Sequence, residues 1–225
     1  MASVGSLVDV HMLHMPSTNP VWLQLCLESL RDEPIQLHRL EGVEGHIGRG
    51  RAKGFMQGNS PYVSYVDPDD LVVPGAFELC VKTLEQHPEA CGAYSDEMLI
   101  DESGKPLGLG MWSGISWNPL LQLEPRYLHN GAVMRRSFVE KYLLELKRWP
   151  NMAEFVLKGL LAGCGPWIHV NQVGYKWRVS AHGAHRKQSM TYVYAARWRI
   201  IPTLQQAAKR YGATIPADGV FKHST

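Results

Sequence analysis

Short apolar runs alternate with amphipathic stretches along most of the chain, and each kind of stretch predicts a different element. Leu7-Val8-Asp9-Val10-His11-Met12-Leu13 alternates as a strand does, and Met15-Pro16-Ser17-Thr18 follows as a loop. Asn19-Pro20 then offers an N-cap with proline at the first helical position, and Leu23, Cys26, Leu27 and Leu30 recur at helical spacing to about Arg31. A second strand is predicted over Ile35 to Leu40. Gly42, Gly45, Gly48 and Gly50 predict a flexible loop before a short helix over Arg51 to Gln57. Tyr62 to Val66 is β-branched or aromatic apart from Ser64, the composition of a buried strand.

Pro74 opens a helix in which Phe77, Cys80, Val81 and Leu84 share one face, and Pro88 stops it. Cys91 to Tyr94 reads as a strand ending at Ser95-Asp96. Asp101-Glu102-Ser103-Gly104-Lys105 reads as a turn, and Gly108, Gly110 and Gly114 surround Trp112 in a loop. Ser137-Phe138-Val139-Glu140 has capping-box spacing and predicts a helix through about Lys147. Further helices are predicted over Asn151 to Leu161, closed by Gly163 and Gly165, and over Thr203 to Tyr211, ending at Gly212. Trp167 to Arg178 should contain strands. Strands alternating with helices imply an α/β sandwich with a largely parallel central sheet.

With 225 residues and 45% hydrophobic content, the chain can bury one sizeable core. No apolar run reaches the length of a membrane span, and the first residues carry no signal-peptide pattern. Cys26, Cys80, Cys91 and Cys164 are widely spaced and form no zinc-type pair, so buried free thiols in a reducing compartment are expected. The expected location is the cytoplasm. The net charge of +2 hides an asymmetry: residues 1–140 hold 10 Lys or Arg against 18 Asp or Glu, and residues 141–225 hold 13 against 3. Such a split suggests either a polyanionic partner for the basic part or a basic face closing over a phosphate-rich ligand.

The strand at Tyr62–Val66 runs straight into Asp67-Pro68-Asp69-Asp70. Three carboxylates at a strand's carboxyl end repel one another unless a cation lies between them. Mg²⁺ commonly joins one or two carboxylates to substrate phosphates, and ligands of open α/β sheets bind beyond strand carboxyl ends. The competing explanation is an acidic turn capping the helix after Pro74.

Taken in order, these pieces resemble the GT-A fold of nucleotide-sugar glycosyltransferases, specifically the family 2 type. The resemblance rests on Arg51 and Gly54, Ser60-Pro61-Tyr62, and Asp67-Pro68-Asp69-Asp70 followed by Pro74. Later pieces are Ala93-Tyr94-Ser95-Asp96, Ile100-Asp101-Glu102-Ser103-Gly104, His129 to Arg136, and Tyr175-Lys176-Trp177-Arg178-Val179-Ser180-Ala181-His182. The similarity covers roughly residues 7 to 187. It implies a Rossmann-like α/β/α sandwich with a mostly parallel sheet over residues 1–187; beyond the resemblance, residues 188–225 are expected to form a basic helical extension packed on the same domain. There are departures: Leu40-Glu41-Gly42-Val43-Glu44 replaces the family's Asp-Asp-Gly-Ser, Ala52 stands for its Asn, and its late Glu-Asp pair is reduced to Glu154.

Chemically, the resemblance implies transfer from a nucleoside diphosphate sugar, with UDP as the nucleotide and inversion at the anomeric carbon. Mn²⁺ or Mg²⁺ would sit on Asp69 and Asp67 with His182 completing the site, and would neutralise the diphosphate as a Lewis acid. Asp67 would also contact the sugar or ribose, and Asp70 would support. Pro16, Ser17, Glu41 and Arg51 fall on the donor side; Arg51 alternatively salt-bridges Glu41 or Glu44. Glu154 occupies the base position, with Asp96 a second candidate, and Asn151–Glu154 alternatively forms a capping box. His185 competes with His182. Trp22, Trp149 and Trp167 read as core.

The acceptor side would draw on Trp112, His129, Asn130, Trp177, Arg178, Arg186 and Lys187. From Trp177 to Arg199 cations interleave with Tyr192, Tyr194 and Trp198, the composition of a surface that tracks phosphates and stacks bases. A hydroxymethylated pyrimidine in DNA, of the kind phages make, is the leading acceptor, and flipping it out of a duplex costs ~a few kcal/mol. A saccharide or small-molecule acceptor is the alternative. Two other classes stand beside it. One is a non-catalytic nucleic-acid-binding module with a structural cation. The other is a nucleotidyltransferase, which predicts a glycine-rich phosphate loop where Met15-Pro16-Ser17-Thr18 stands.

Overall fold

The computed structural model of the chain describes residues 7–180 and 189–214. Strand β1 (Val8–His14) lies between β2 (Ile35–Glu41) and β3 (Tyr62–Val66), parallel to both, with Val8 opposite Ile35 and Tyr62. Strand β5 (Gly92–Ile100) runs parallel to the long β8 (Trp167–Arg178). Between these halves β7 (Val133–Arg135) pairs antiparallel with both β3 and β5. Two short strands, β4 (Leu71–Val72) on β8 and β6 (Pro106–Leu109) on β5, are also antiparallel. The sheet order is β2-β1-β3-β7-β5-β8-β4, with β6 beside β5. This is the α/β class read from the sequence, with long parallel pairings joined by short antiparallel ones.

Helices cover both faces because β1, β3 and β5 are apolar on both sides. On one face α1 (Pro20–Ser29) and α3 (Ala76–Gln86) bury Cys26, Phe77, Cys80, Val81 and Leu84 against Val10, Met12 and Val66. On the other, α2 (Ile47–Phe55), α6 (Ala153–Leu161) and α7 (Met190–Tyr211) pack Phe55, Val156, Leu157, Val193, Ile200 and Leu204 against Val63, Tyr65 and Tyr94. The basic residues of α7 thus ride on a helix whose inner face belongs to this core. All four cysteines are free thiols, three of them buried. Among the described residues no helix is long and apolar enough to cross a membrane.

Three elements differ from the sequence reading. Helix α2 starts at Ile47, so Gly48 and Gly50 are helical rather than part of a loop. A Cβ at Gly48 would lie 2.1 Å from the Leu146 carbonyl oxygen, and one at Gly54 would lie 2.3 Å from the His11 ring. These glycines let the helix approach its neighbours closely. The capping box at Ser137 does not form: α4 (Arg136–Val139), a 3₁₀ turn and α5 (Leu143–Leu146) replace a single helix, and Arg135 at the N-cap sends its side chain to the carbonyls of Leu84, His87 and Ala90 rather than capping α4. Helix α7 runs through Pro202, because burial of Val193, Ala196, Ile200 and Leu204 outweighs the proline's lost donor.

The helix after the acidic turn is capped from a distance. Gly75 precedes α3 at φ 81°, and its backbone N–H, with that of Phe77, donates to the buried carboxylate of Glu33 at 2.5 and 3.3 Å. The acidic turn therefore does not cap this helix. We expect Glu33→Ala to lower stability by about 1 kcal/mol in urea unfolding, the usual magnitude of a lost N-terminal cap.

Candidate functional site

The parallel strands deliver their carboxyl ends to one edge, where β3 passes into Asp67-Pro68-Asp69-Asp70. Helix α2 sends Arg51 into this edge, fully buried at 1% exposure. Its Nε donates to Glu154 Oε1 at 2.6 Å, its Nη2 donates to Asp67 Oδ1, and its plane lies 4.0 Å from the centre of the Tyr65 ring. Nη1 has no partner among the described residues. Burial works against the guanidinium's charge, but Asp67 and Glu154 more than offset it and hold the group above its ordinary pKa. Tyr65 donates its hydroxyl to Asn130 Oδ1 at 2.7 Å, and Asn130 Nδ2 donates to Asp67 Oδ2 at 2.7 Å. Both oxygens of Asp67 are thus fixed, one by a cation and one by an amide.

Glu154 stands in the first turn of α6 and does not cap it. The N-cap is Met152, held at φ 60°, and Asn151 Oδ1 accepts from Met152 N at 3.1 Å rather than from residue 154. A left-handed non-glycine backbone costs on the order of 1–3 kcal/mol and persists only where its surroundings impose it. Here it turns the first residues of α6 so that Glu154 meets Arg51. One Glu154 oxygen stays without a partner among the described residues. That oxygen is what a general base requires.

Asp70 is buried and serves the scaffold. Tyr175 donates its hydroxyl to Asp70 Oδ2 at 2.7 Å, and Arg178 N donates to Oδ1 at 2.8 Å. Arg178 itself is 2% exposed; its side chain donates to the carbonyls of Asp69, Asp101 and Glu102 and lies 5.2 Å from the Trp22 ring. It ties β8 to the acidic turn and is buried there, away from solvent. Asp69 has no side-chain partner among the described residues, and burial, then the charge of Asp67, pushes its carboxyl up to about 6. That is a hard oxygen donor whose ionised form a divalent cation would favour. Among the described residues no three His, Cys, Asp or Glu side chains converge as a cluster. The carboxylates that could offer oxygens to a divalent cation at this edge are Asp69 and, beside it, Asp67.

Deeper along the same edge, Asp96 Oδ1 receives both His169 Nε2 and the Gly114 backbone N–H, each at 2.7 Å. It acts as a clasp on the loop just after Trp112. His129, half-buried, has its ring nitrogens against the carbonyls of Ser95 and Asn130; desolvation of the ring pushes its pKa down to about 4. Asn130 faces Asp67 as described. Two residues that the sequence reading passed over belong here. Lys158 interrupts the apolar run Phe155 to Leu161, and that lone cation was the available signal. Glu97 is pushed up to about 7 by burial, against the pull of Lys158 and Arg126.

With this geometry in hand, comparison with known proteins adds the following. No family model matches the chain. It is 23% identical over 181 residues to the uncharacterized protein y4gI of Sinorhizobium fredii (strain NBRC 101917 / NGR234), covering 77% of this chain and 19% of that protein. The chain therefore spans about a fifth of the length of that curated relative. Among solved structures, S. aureus TarS residues 1–349 in complex with UDP superposes with a TM-score of 0.60 at 12% identity, over 91% of this chain and 71% of that one. The UDP-GlcNAc complex gives 0.59 at 10% identity, over 91% and 72%. The crystal structure of TarS gives 0.58 at 12% identity, over 97% of this chain and 46% of that one. The chain is similar in fold to TarS.

The remaining candidates are distributed as follows. Pro16 and Ser17 are exposed in the loop after β1, and Glu41 is exposed at the end of β2. Arg51 pairs with Asp67 and Glu154, not with Glu41 or Glu44. Trp112 packs edge-on against Tyr127 at 5.2 Å, and Trp177 is partly buried against the core beside α1 and α3. His182, His185, Arg186 and Lys187 lie outside the described residues. On α7, Arg197 donates to Glu124 and Arg199 to Glu145, while Tyr194 and Trp198 are exposed.

Proposed function

We propose that the chain transfers a sugar from a nucleoside diphosphate sugar, with UDP as the nucleotide, to a hydroxyl acceptor. The observation that carries this reading is one buried arginine holding Asp67 and Glu154 together at the carboxyl end of β3, with the unspent carboxylate of Asp69 two residues on. The likeness in fold to a protein crystallised with UDP and with UDP-GlcNAc supports it. Glu154 takes the acceptor proton through the oxygen that Arg51 does not engage, and the Arg51 contact to its other oxygen fixes how the carboxylate is turned. Asp67, fixed by Arg51 and Asn130, orients the donor beside it. Asp69 with Asp67 would hold Mn²⁺ or Mg²⁺, which supplies charge neutralisation for the departing diphosphate.

DNA bearing hydroxymethylated pyrimidines is the finer acceptor reading. Exposed Tyr194 and Trp198, with exposed Lys209 and Arg210 further along α7, support it. The ion-paired Arg197 and Arg199 and the buried Arg178 do not contribute. A saccharide or small molecule is the other acceptor.

The test is incubation with a panel of UDP-sugars and Mn²⁺, with and without hydroxymethylated DNA, reading UDP release and mass gain on nucleosides. UDP release that disappears with EDTA and in Asp69→Asn is the expected outcome. Absence of UDP release from every donor, together with absence of UDP binding by calorimetry, sinks the proposal. Release without mass gain on DNA removes the nucleic-acid acceptor only.

A further inference from the structure

Lys158 takes no part in the chemistry above, yet it sits at the centre of the site's framework. It lies one turn beyond Glu154 on α6 and is 4% exposed. Its Nζ donates to the carbonyls of Leu128 at 3.0 Å and His129 at 2.8 Å. Those residues lead directly into Asn130, whose side-chain amide joins Tyr65 to Asp67. The same Nζ stands 5.2 Å from the centre of the Tyr65 ring that carries Arg51. A single side chain therefore links the helix bearing Glu154 to the segment bearing Asn130.

A buried ammonium is a costly way to fill an apolar helix face, since leucine or methionine would fill it without desolvating a charge. Burial pushes this amine down to about 8, and the carboxylate of Glu154 pulls it partly back. Its direct hydrogen-bond partners are the two carbonyl acceptors. Neither has a backbone partner within the sheet, because β7 begins at Val133. Without the ammonium, the backbone carbonyls of Leu128 and His129 would lose this donor, and the segment would be held by side-chain packing, the His129 ring and the Asn130 amide that the segment has to position.

From this placement we infer that Lys158 is a positioning residue of the transfer site, fixing the Leu128–Asn130 segment so that Asn130 holds Asp67 in register with Glu154. The inference rests on the proposed transfer reaction for its kinetic consequence, but its structural half can be read without turnover. In Lys158→Met, hydrogen exchange should quicken by about tenfold or more in peptides covering residues 128–133, with α7 unchanged. For transfer, kcat should fall by about 10²-fold, the scale of a small misplacement in a reacting site, with KM for the nucleotide sugar within about threefold. Adding Asn130→Ala to Lys158→Met should cost little more, since both changes cut one chain of contacts.

Unchanged exchange over residues 128–133 overturns the inference, as do fully additive effects of the two substitutions on kcat. A merely stabilising lysine would lower the melting temperature and leave kcat per folded molecule intact. If Lys158→Met does not accumulate as folded protein, Lys158→Gln carries the same measurements. A wild-type protein that neither binds UDP nor consumes any donor removes the transfer reading, and the exchange data then decide the role of Lys158 by themselves.

Discussion

Replacing Glu154 by glutamine is expected to lower turnover by about 10²–10⁴-fold while leaving the protein folded. Glutamine keeps a carbonyl oxygen for Arg51 Nε, now 2.6 Å from Glu154 Oε1, and removes only the negative charge and proton affinity. Arg51→Met is the contrasting change. It leaves two carboxylates, Asp67 and Glu154, facing each other beside a buried space that held their counter-charge. Removing one partner of a fully buried ion pair costs about 3–5 kcal/mol; with Asp67 and Glu154 partly exposed this variant should lose less than that, along with activity. Urea unfolding and UDP release on both proteins separate the two effects. Near wild-type turnover in Glu154→Gln would reduce Glu154 to a counterion of Arg51.

Much of the framework was legible because it depends on local pattern. The alternation in β1, the continuous apolar run of β3 and the helical spacing in α1 and α3 each bury a face that the sequence already marks. Features decided by tertiary contact were not legible. Gly48 and Gly50 look like loop residues until the carbonyl of Leu146 and the side chain of Leu13 are placed against them. Ser137 and Glu140 have capping spacing, yet the chain there turns through short helical pieces that present other groups.

The site divides in the same way. Residue types and the acidic turn pointed to Asp67, Asp69, Arg51 and Glu154, but Arg51 and Glu154 are 103 positions apart, and nothing local says which acid the arginine meets. Capping spacing at Asn151 offered Glu154 a local partner that the left-handed Met152 denies it. Cations near Trp177 looked like one surface, whereas Arg178 is buried under the acidic turn and Arg197 and Arg199 are paired on α7. Exposure, not sequence, distinguishes a docking cation from a structural one.

Glu97→Gln should raise stability by roughly 3 kcal/mol at pH 7.5 and change it little at pH 4.5. Its carboxyl titrates near the ordinary 4.5 when unfolded and is pushed up to about 7 in the folded protein, mainly by burial. Between those values the folded chain holds a proton that the unfolded chain has released. The contribution of Glu97 is therefore present at low pH and is lost as pH rises toward 7, by about 1.4 kcal/mol per unit. Glutamine imitates the neutral acid at every pH, so the variant escapes that loss. Urea midpoints at the two pH values measure the difference, and parallel curves would show that Glu97 does not titrate in this way. The carboxylate packs closely on Gly110, where a Cβ would lie 2.6 Å from its Oε1. Kinetics on the same variant then show what the strain serves. Transfer lost with UDP release retained puts Glu97 on the acceptor, whereas loss of both puts it with Lys158 in the framework that holds the donor.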